Sequence, residues 1–240
     1  MQNYLPSHHP PAKAGPSSKF LIFGIIAIII VGVLIYQSLP KKEIMPEKTL
    51  EKKKIVIITA FRDFRDDEYF VPKEILEKAG AEIKTASNAE ASAEAREERS
   101  SSNQKGTAIG ADGGEVEIDL LVSEIKPADF DAIVFIGGPG CLENLDNDDS
   151  YRVVQETVSE NKVLASICIS PVILAKAGVL KGKKATVWSS ALDKSGVKVL
   201  QDYEAIYTAK SVVQDGNIIT ANGPGAAKEF GEKILGALTE

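Results

Sequence analysis

Histidine is nearly absent from this chain of 240 residues. The only two are His8 and His9, both within the first ten positions. Histidine is the side chain that most often carries protons near neutral pH and the commonest metal ligand. Beyond residue 9, catalysis by an imidazole is therefore excluded unless this short N-terminal segment reaches the site.

Cysteine and excess positive charge are also scarce. Cys141 and Cys168 are too few for a disulfide framework, lack the spacing of a metal site, and indicate a reducing compartment. The 34 acidic and 28 basic residues give a net charge of −6 and a pI near 5.2. This charge lacks the basic footprint of nucleic-acid binding. We expect no nucleic-acid partner, no metal and no cofactor.

A long apolar run lies near the start of the chain. Residues 20–36 contain no charge, and extension to residue 39 gives about 30 Å of helix, which matches a bilayer core. A cleaved signal peptide is the alternative, but the flank at residues 37–40 lacks a small-residue cleavage site. Six lysines follow the run closely and two precede it. The sequence therefore predicts a single-pass membrane helix at residues 20–39, with the C-terminal part cytoplasmic.

Composition also predicts the organisation of the remainder. Residues 1–19, rich in proline and serine, are typical of a disordered tail, and residues 40–53 of a charged linker. Residues 54–240 alternate strand and helix patterns, which predicts an α/β domain with a mostly parallel sheet covered on both faces. The polar stretch at residues 87–105 is interpreted as a surface insertion.

The segment around Cys168 is the most informative part of this domain. An apolar, strand-like run ends at Cys168, and Pro171 opens a predicted helix that continues to Leu180. A cysteine at such a turn lies beside unpaired backbone N–H groups and the positive end of a helix, which favour the reactive thiolate. The alternative is a small buried hydrophobic residue, which is what most free cysteines are.

Three motifs are expected at one edge of the sheet. The loop around Glu68, the turn at Gly137–Gly138 and the turn at Cys168 each follow a predicted strand. Ligand sites of parallel α/β folds gather at the carboxyl ends of strands. This convergence favours a reactive cysteine over a buried one.

From residue 54 onward the chain resembles the ThiJ/PfpI family, the DJ superfamily that is related to class I glutamine amidotransferases. The resemblance lies in four segments of the sequence: IVIITAFRDFRDDEYFVPKEILEKAG, DFDAIVFIGGPG, ASICISPVILAKAGVLKGKKATVW and DGNIITANGPGAAKEF. It implies a flavodoxin-like three-layer α/β sandwich with Cys168 on a nucleophile elbow. It also implies self-association into dimers or larger assemblies.

The resemblance implies a role for four residues. Glu68, on the first βα loop and four positions before Pro72, would hydrogen-bond the sulfur of Cys168; a protonated carboxyl group can donate to a thiolate, whereas a carboxylate would repel it. The backbone N–H groups of Gly138 and Ile169 would form an oxyanion pocket. The residues alone favour an ordinary solvated charge for Glu68. They also indicate a tight turn at Gly137–Gly138, which is compatible with an oxyanion pocket.

Two departures from the family pattern restrict the chemistry. Family members described as peptidases carry histidine directly after the cysteine, where this chain has Ile169. Members described as glyoxalases or deglycases often have a histidine where this chain has Trp188. A cysteine peptidase of the usual kind is therefore disfavoured, because no imidazole can act as base.

Three functions remain open at this point. One is a membrane-tethered Cys-Glu hydrolase or lyase that acts on reactive carbonyls such as methylglyoxal. The second is a redox sensor whose cysteine is oxidised without turnover, with Cys141 as a possible second thiol that forms a disulfide with Cys168. The third is a binding or chaperone module. The partner is thus a small carbonyl compound or an oxidant in the first two.

Overall fold

The computed structural model describes residues 49–88 and 106–240. The predicted tail and membrane helix, most of the linker and nearly all of the insertion lie outside these residues. Within the described ranges, no helix is both long and apolar enough to cross a bilayer. The membrane helix at residues 20–39 stays a prediction.

The described residues form twelve strands and six α-helices. The strands are β1 (Lys54–Thr59), β2 (Arg62–Phe64), β3 (Glu82–Ser87), β4 (Thr107–Gly110), β5 (Glu115–Glu117), β6 (Leu120–Leu121), β7 (Ala132–Phe135), β8 (Val163–Ile167), β9 (Lys184–Ala185), β10 (Ile206–Tyr207), β11 (Val212–Asp215) and β12 (Ile218–Ala221). The helices are α1 (Asp66–Lys78), α2 (Cys141–Leu145), α3 (Asp148–Ser159), α4 (Pro171–Lys176), α5 (Ser195–Asp202) and α6 (Ala227–Thr239).

A seven-stranded sheet in the order β11-β12-β8-β7-β1-β3-β6 organises the described part of the chain. Its pairs are parallel except for the β11–β12 hairpin. Side chains of β1 alternate between two cores, as the two-residue period of a strand requires. Val56 and Ile58 face the cluster that includes α3, α4 and α5, and Ile55 and Ile57 face the cluster that includes α1 and α6. The predicted sheet with helices on both faces is therefore correct.

The start of the first helix differs from the sequence expectation. The spacing predicts a helix over Val71–Ala79, with Glu68 on the preceding loop. In the structure α1 begins at Asp66 and places Glu68 in its first turn. The acidic residues of this turn interact favourably with the positive end of the helix, so they begin the helix rather than a solvated loop. Pro72 therefore lies inside the helix and not at its entrance.

The predicted elements after Cys168 are shorter than expected. The helix predicted over Pro171–Leu180 ends at Lys176, and Gly178 follows in the left-handed conformation that ends helices, with φ +83°. The strand predicted over Lys184–Trp188 covers only β9.

Candidate active site

Cys168 lies at a sharp turn between β8 and α4. Its φ of +66° is uncommon for a residue with a side chain and is typical of strained turns at functional sites. Two backbone hydrogen bonds hold it: the N–H of Cys168 donates to the Ala221 carbonyl at 2.9 Å, and the N–H of Trp188 donates to the Cys168 carbonyl at 2.7 Å. Cys168 is half-buried. The turn thus has the geometry of a nucleophile elbow.

Glu68 is a fully buried carboxyl group beside this cysteine. Its Oε2 accepts a hydrogen bond from the N–H of Gly137 at 3.1 Å. The thiol of Cys168 is close enough to the carboxyl group to affect its pKa as a hydrogen-bonding partner. The Oε1 atom of Glu68 nevertheless has no hydrogen bond of normal geometry. Because Oε2 accepts from an N–H, Oε1 is the oxygen that can carry a proton.

Gly137 allows the two side chains to meet. A Cβ atom at this position would lie 2.5 Å from Cys168 Cβ and 2.8 Å from Glu68 Oε2, both closer than packed atoms come. Any larger residue would separate the thiol from the carboxyl group. In the sequence Gly137 resembles a simple turn residue. The structure requires glycine here because a Cβ atom would overlap with Cys168 and Glu68.

Burial sets the acidity of both groups. It raises the pKa of Glu68 to about 7, against the opposing effects of Cys168, the Gly137 N–H and the Arg65 charge. Burial, followed by the Glu68 carboxylate, raises the pKa of Cys168 to about 12. The N–H groups of Gly138 and Ile169 act in the opposite direction. The sequence predicts a turn that favours the thiolate and so lowers the pKa of the thiol. That prediction is wrong while Glu68 is ionised, because the effect of burial on the pKa is larger than the effect of the two backbone amides.

The two groups titrate as one unit. With the pKa of Glu68 raised to about 7 and that of Cys168 to about 12, one proton remains on the pair between these values. In one arrangement the proton is on sulfur and Glu68 is a carboxylate. In the other it is on Glu68 Oε1, and the thiolate accepts hydrogen bonds from the Gly138 and Ile169 amides. The second arrangement is nucleophilic.

Tight backbone packing fixes the amide of Gly138. Its φ is +112°, and a Cβ atom there would lie 2.4 Å from the backbone nitrogen of Arg65. The N–H of Arg65 donates to the Gly137 carbonyl at 3.1 Å, and the N–H of Gly140 donates to the Asp63 carbonyl at 3.1 Å. The loop after β7 is thus joined to the segment that enters α1, which carries Glu68.

Ser170 plays a part in the elbow that the sequence does not reveal. Its buried hydroxyl accepts from the Ile167 N–H at 3.1 Å and lies 3.0 Å from the Phe135 carbonyl, 2.7 Å from the Ile167 carbonyl and 2.8 Å from the Ser166 hydroxyl. It connects the ends of β7 and β8, the strands that precede the two amide donors.

A cavity of about 440 Å³ opens beside the sulfur. Of the residues named from sequence, Gly138, Cys168 and Ile169 line it. Residues that sequence reasoning did not assign to the site also line it, among them Arg65, Trp188, Asp193 and Ser195. In the sequence, the one indication that Arg65 belongs to the site is its position three residues before Glu68 in the same charged segment.

Cys141, the possible second thiol, is completely buried at the start of α2. It packs in the cluster with α3 and α4, whereas Cys168 packs against the opposite cluster. Burial raises the pKa of the Cys141 thiol well above its ordinary value, and the charges of Cys168 and Glu68 add to this effect. A disulfide between the two cysteines stays a prediction. Within the described residues, no group of histidine, cysteine or acidic side chains could hold a metal ion.

The fold and this elbow define an α/β protein with a half-buried cysteine at a strand-to-helix turn, next to a buried carboxyl group. Residues 53–237 match the model of the DJ-1/PfpI family, and the chain belongs to that family. This confirms the resemblance found in the sequence.

Individual relatives agree with this assignment. An uncharacterized protein of Methanocaldococcus jannaschii is 34% identical over 92% of this chain and 97% of its own. Deglycase PfpI of Pyrococcus furiosus is 31% identical over 72% of this chain and 91% of its own. The crystal structure of a ThiJ/PfpI domain protein from Brachyspira murdochii has a TM-score of 0.66 at 32% identity, and the match covers 78% of this chain and 97% of that one.

Proposed function

We propose that this protein acts on reactive carbonyl compounds through Cys168, in a deglycase-like or glyoxalase-like reaction. The observation that supports this most is the contact of a half-buried nucleophilic cysteine with a buried carboxyl group whose Oε1 has no other partner. The relatives named deglycases add support at about 30% identity. The absence of histidine beyond His9 argues against a Cys-His peptidase.

The first step is an addition. The Cys168 thiolate attacks the carbonyl carbon, an S–C bond forms, and the electron pair of the C=O bond moves to oxygen. That oxygen takes the proton from Glu68, and the amides of Gly138 and Ile169 stabilise the charge as it develops. Glu68 is then a carboxylate beside the adduct.

For an α-oxoaldehyde the same carboxylate completes the reaction. It removes the proton from the carbon bonded to sulfur and returns it to the neighbouring carbon, while the hydroxyl proton moves from the oxygen of the first carbon to the oxygen of the second. The adduct is thereby converted to a thioester. Water then hydrolyses the thioester to a 2-hydroxy acid and regenerates the thiol. The sum is the addition of one water to the aldehyde, without an external oxidant.

Turnover of methylglyoxal to lactate by the purified full chain tests the proposal. We expect the activity to disappear in Cys168→Ala and Glu68→Ala and to persist in Cys141→Ala. Oxidation of Cys168 by peroxide in the absence of any turnover would instead favour a redox switch. If Cys168→Ala keeps its binding and chaperone activity, a binding module is favoured.

We also propose that the enzyme is tethered to the cytoplasmic face of a membrane by residues 20–39. The charge-free apolar run at residues 20–39 and the excess of lysines that follows it support this. We expect the full chain to sediment with membranes and to be released by detergent but not by high salt. Release by salt alone would contradict the tether.

A further inference from the structure

We infer that the cavity selects carbonyl compounds that carry a carboxylate, such as small 2-oxo acids, and that Arg65 is the residue that binds this group. The inference rests on the proposed addition of the Cys168 thiolate to a carbonyl, which is the step open to a 2-oxo acid, and on Arg65 for its selectivity. Arg65 then determines specificity, while Cys168 and Glu68 perform the chemistry.

The position of Arg65 is the first observation. It is the only Lys or Arg among the described residues that line the cavity, and its charge lowers the pKa of Glu68, the proton donor of the pair. Arg65 therefore lines the same cavity as Cys168, and its charge acts on the carboxyl group beside the sulfur. A carboxylate adjacent to a carbonyl bound at Cys168 falls within the reach of that charge.

Arg65 keeps donors available for a ligand. Its Nη1 pairs with Asp112 Oδ2 at 3.1 Å, and the side chain of Asp112 is 60% exposed. A guanidinium has five N–H donors in a planar fork, so one such contact leaves others for a bidentate carboxylate.

The acidic side chain of the cavity lies elsewhere. Asp193 Oδ1 accepts the Ser195 N–H at 2.8 Å, at the start of α5. Among the described residues whose charges most change the pKa of Glu68 or Cys168, Arg65 is the only cation. The charge of Asp193 is not among these contributions to either pKa. Arg65 is consequently the positive charge that the described lining of the cavity offers to a carboxylate.

Substitution at position 65 leaves the loop intact. The backbone N–H of Arg65, not its side chain, donates to the Gly137 carbonyl. Arg65→Gln removes the charge, Arg65→Lys keeps it without the fork, and Asp112→Asn removes its competitor. These three variants form a matched set.

Alkylation with two reagents gives the first test. Iodoacetate and iodoacetamide react by the same displacement of iodide by the thiolate, and they differ in charge. Because both rates depend on the same thiolate fraction, their ratio at one pH cancels any effect of Arg65 on the acidity of the pair. The ratio is measured at Cys168 by peptide mass spectrometry and normalised to N-acetylcysteine.

We expect Arg65→Gln to lower the iodoacetate-to-iodoacetamide ratio about tenfold, the effect of one charge-assisted hydrogen bond. Arg65→Lys should restore part of it, and Asp112→Asn should raise the ratio above that of the wild type. A ratio that is the same in wild type and Arg65→Gln would overturn the inference.

Binding without chemistry gives the second test. Trp188 lines the cavity and is the single tryptophan of the chain, so its fluorescence reports ligand binding there. In Cys168→Ser, pyruvate should bind about tenfold more weakly when Arg65 is also changed to Gln, whereas neutral methyl pyruvate should bind equally in both. No saturable response to pyruvate, or equal weakening of both ligands, would contradict the inference.

The two tests separate this inference from the proposed function. A chain that fails to turn over methylglyoxal but binds pyruvate through Arg65 would refute the proposed reaction and leave the carboxylate site. If the chain turns over methylglyoxal but Arg65→Gln changes neither the alkylation ratio nor the binding of pyruvate, the carboxylate site is refuted and the proposed reaction stands.

Discussion

At the residue scale, the chemistry depends on two acids that cannot both be ionised at moderate pH. Glu68 has 0% exposure, and Cys168 lies beside it against the same core cluster. Each negative charge makes the other unfavourable, and burial disfavours both. The site therefore holds one charge and one proton, and the two backbone amides stabilise the charge when it is on sulfur.

The buried carboxyl group has a consequence for stability. Its pKa is raised from the ordinary 4.5 to about 7 by folding, so the unfolded chain releases this proton first. The contribution of Glu68 is then greatest below pH 4.5 and falls as the pH rises to 7, by about 3 kcal/mol.

We expect Glu68→Gln to remove this loss. Its free energy of unfolding should rise relative to wild type between pH 4.5 and 7, measured by denaturant unfolding at several pH values. Glu74→Gln is the control, since Glu74 lies on the exposed face of the same helix. If the free energy of unfolding depends on pH in the same way in wild type and Glu68→Gln, folding does not raise the pKa of Glu68.

Gly137→Ala tests the contact between the two side chains. The added methyl would overlap with Cys168 Cβ and Glu68 Oε2, so we expect a loss of stability of about 1–3 kcal/mol and a large loss of Cys168 alkylation near neutral pH. Gly225→Ala is the control, because a Cβ there meets no atom within 4 Å. Similar behaviour of the two variants would contradict the proposed geometry.

At the element scale, the elbow is held by the ends of three strands. Ser170 connects β7 to β8, and the backbone of Cys168 bonds to Ala221 at the end of β12. Because these strands are buried in the central sheet, the turn keeps its unusual φ without glycine.

Ser170→Ala should weaken this element. It leaves the Ile167 N–H and the Phe135 carbonyl without their buried partner, so we expect a loss of about 1–3 kcal/mol in thermal or denaturant unfolding. Ser159→Ala removes an exposed hydroxyl at the end of α3 and should change stability little. Equal effects of the two substitutions would mean that the Ser170 hydroxyl does not hold the turn.

The accuracy of the sequence predictions follows element length and burial. The runs at Ile55–Ala60 and Ala132–Ile136 predict β1 and β7 to within one residue at each end, because buried parallel strands are continuous apolar runs. The alternating run at residues 115–125 predicts a strand or two and contains β5, whereas β2, β4 and the five-residue helix α2 are not predicted, since such short elements have no detectable period.

The site was only partly predictable for a related reason. Glu68, Gly138, Cys168 and Ile169 follow from motifs, and the structure brings all four together. Ser170, Trp188 and Asp193 enter the site through turns and loops from separate parts of the chain. Their positions depend on tertiary packing, which no local pattern encodes.

At the scale of the whole molecule, the compact unit Glu47–Glu240 contains both core clusters and all the site residues named above. Self-association, implied by the family resemblance, stays a prediction. So does the membrane helix at residues 20–39.

We expect residues 47–240 alone to fold and to retain the site. The isolated fragment should show a cooperative thermal transition and the same alkylation profile of Cys168 as the full chain, because no described site residue lies before Glu47. It should also remain in the supernatant when membranes are sedimented. A fragment that folds only with residues 1–46 attached would refute this division.

The pH dependence of Cys168 alkylation tests the shared proton most directly. In the full chain, the rate with iodoacetamide should rise with an inflection near pH 7, where the pair loses its first proton, and then level off through pH 9. Glu68→Gln should lose that inflection and titrate as a single thiol. A wild-type profile with one inflection near the ordinary cysteine value of about 8.5, unchanged in Glu68→Gln, would contradict the account.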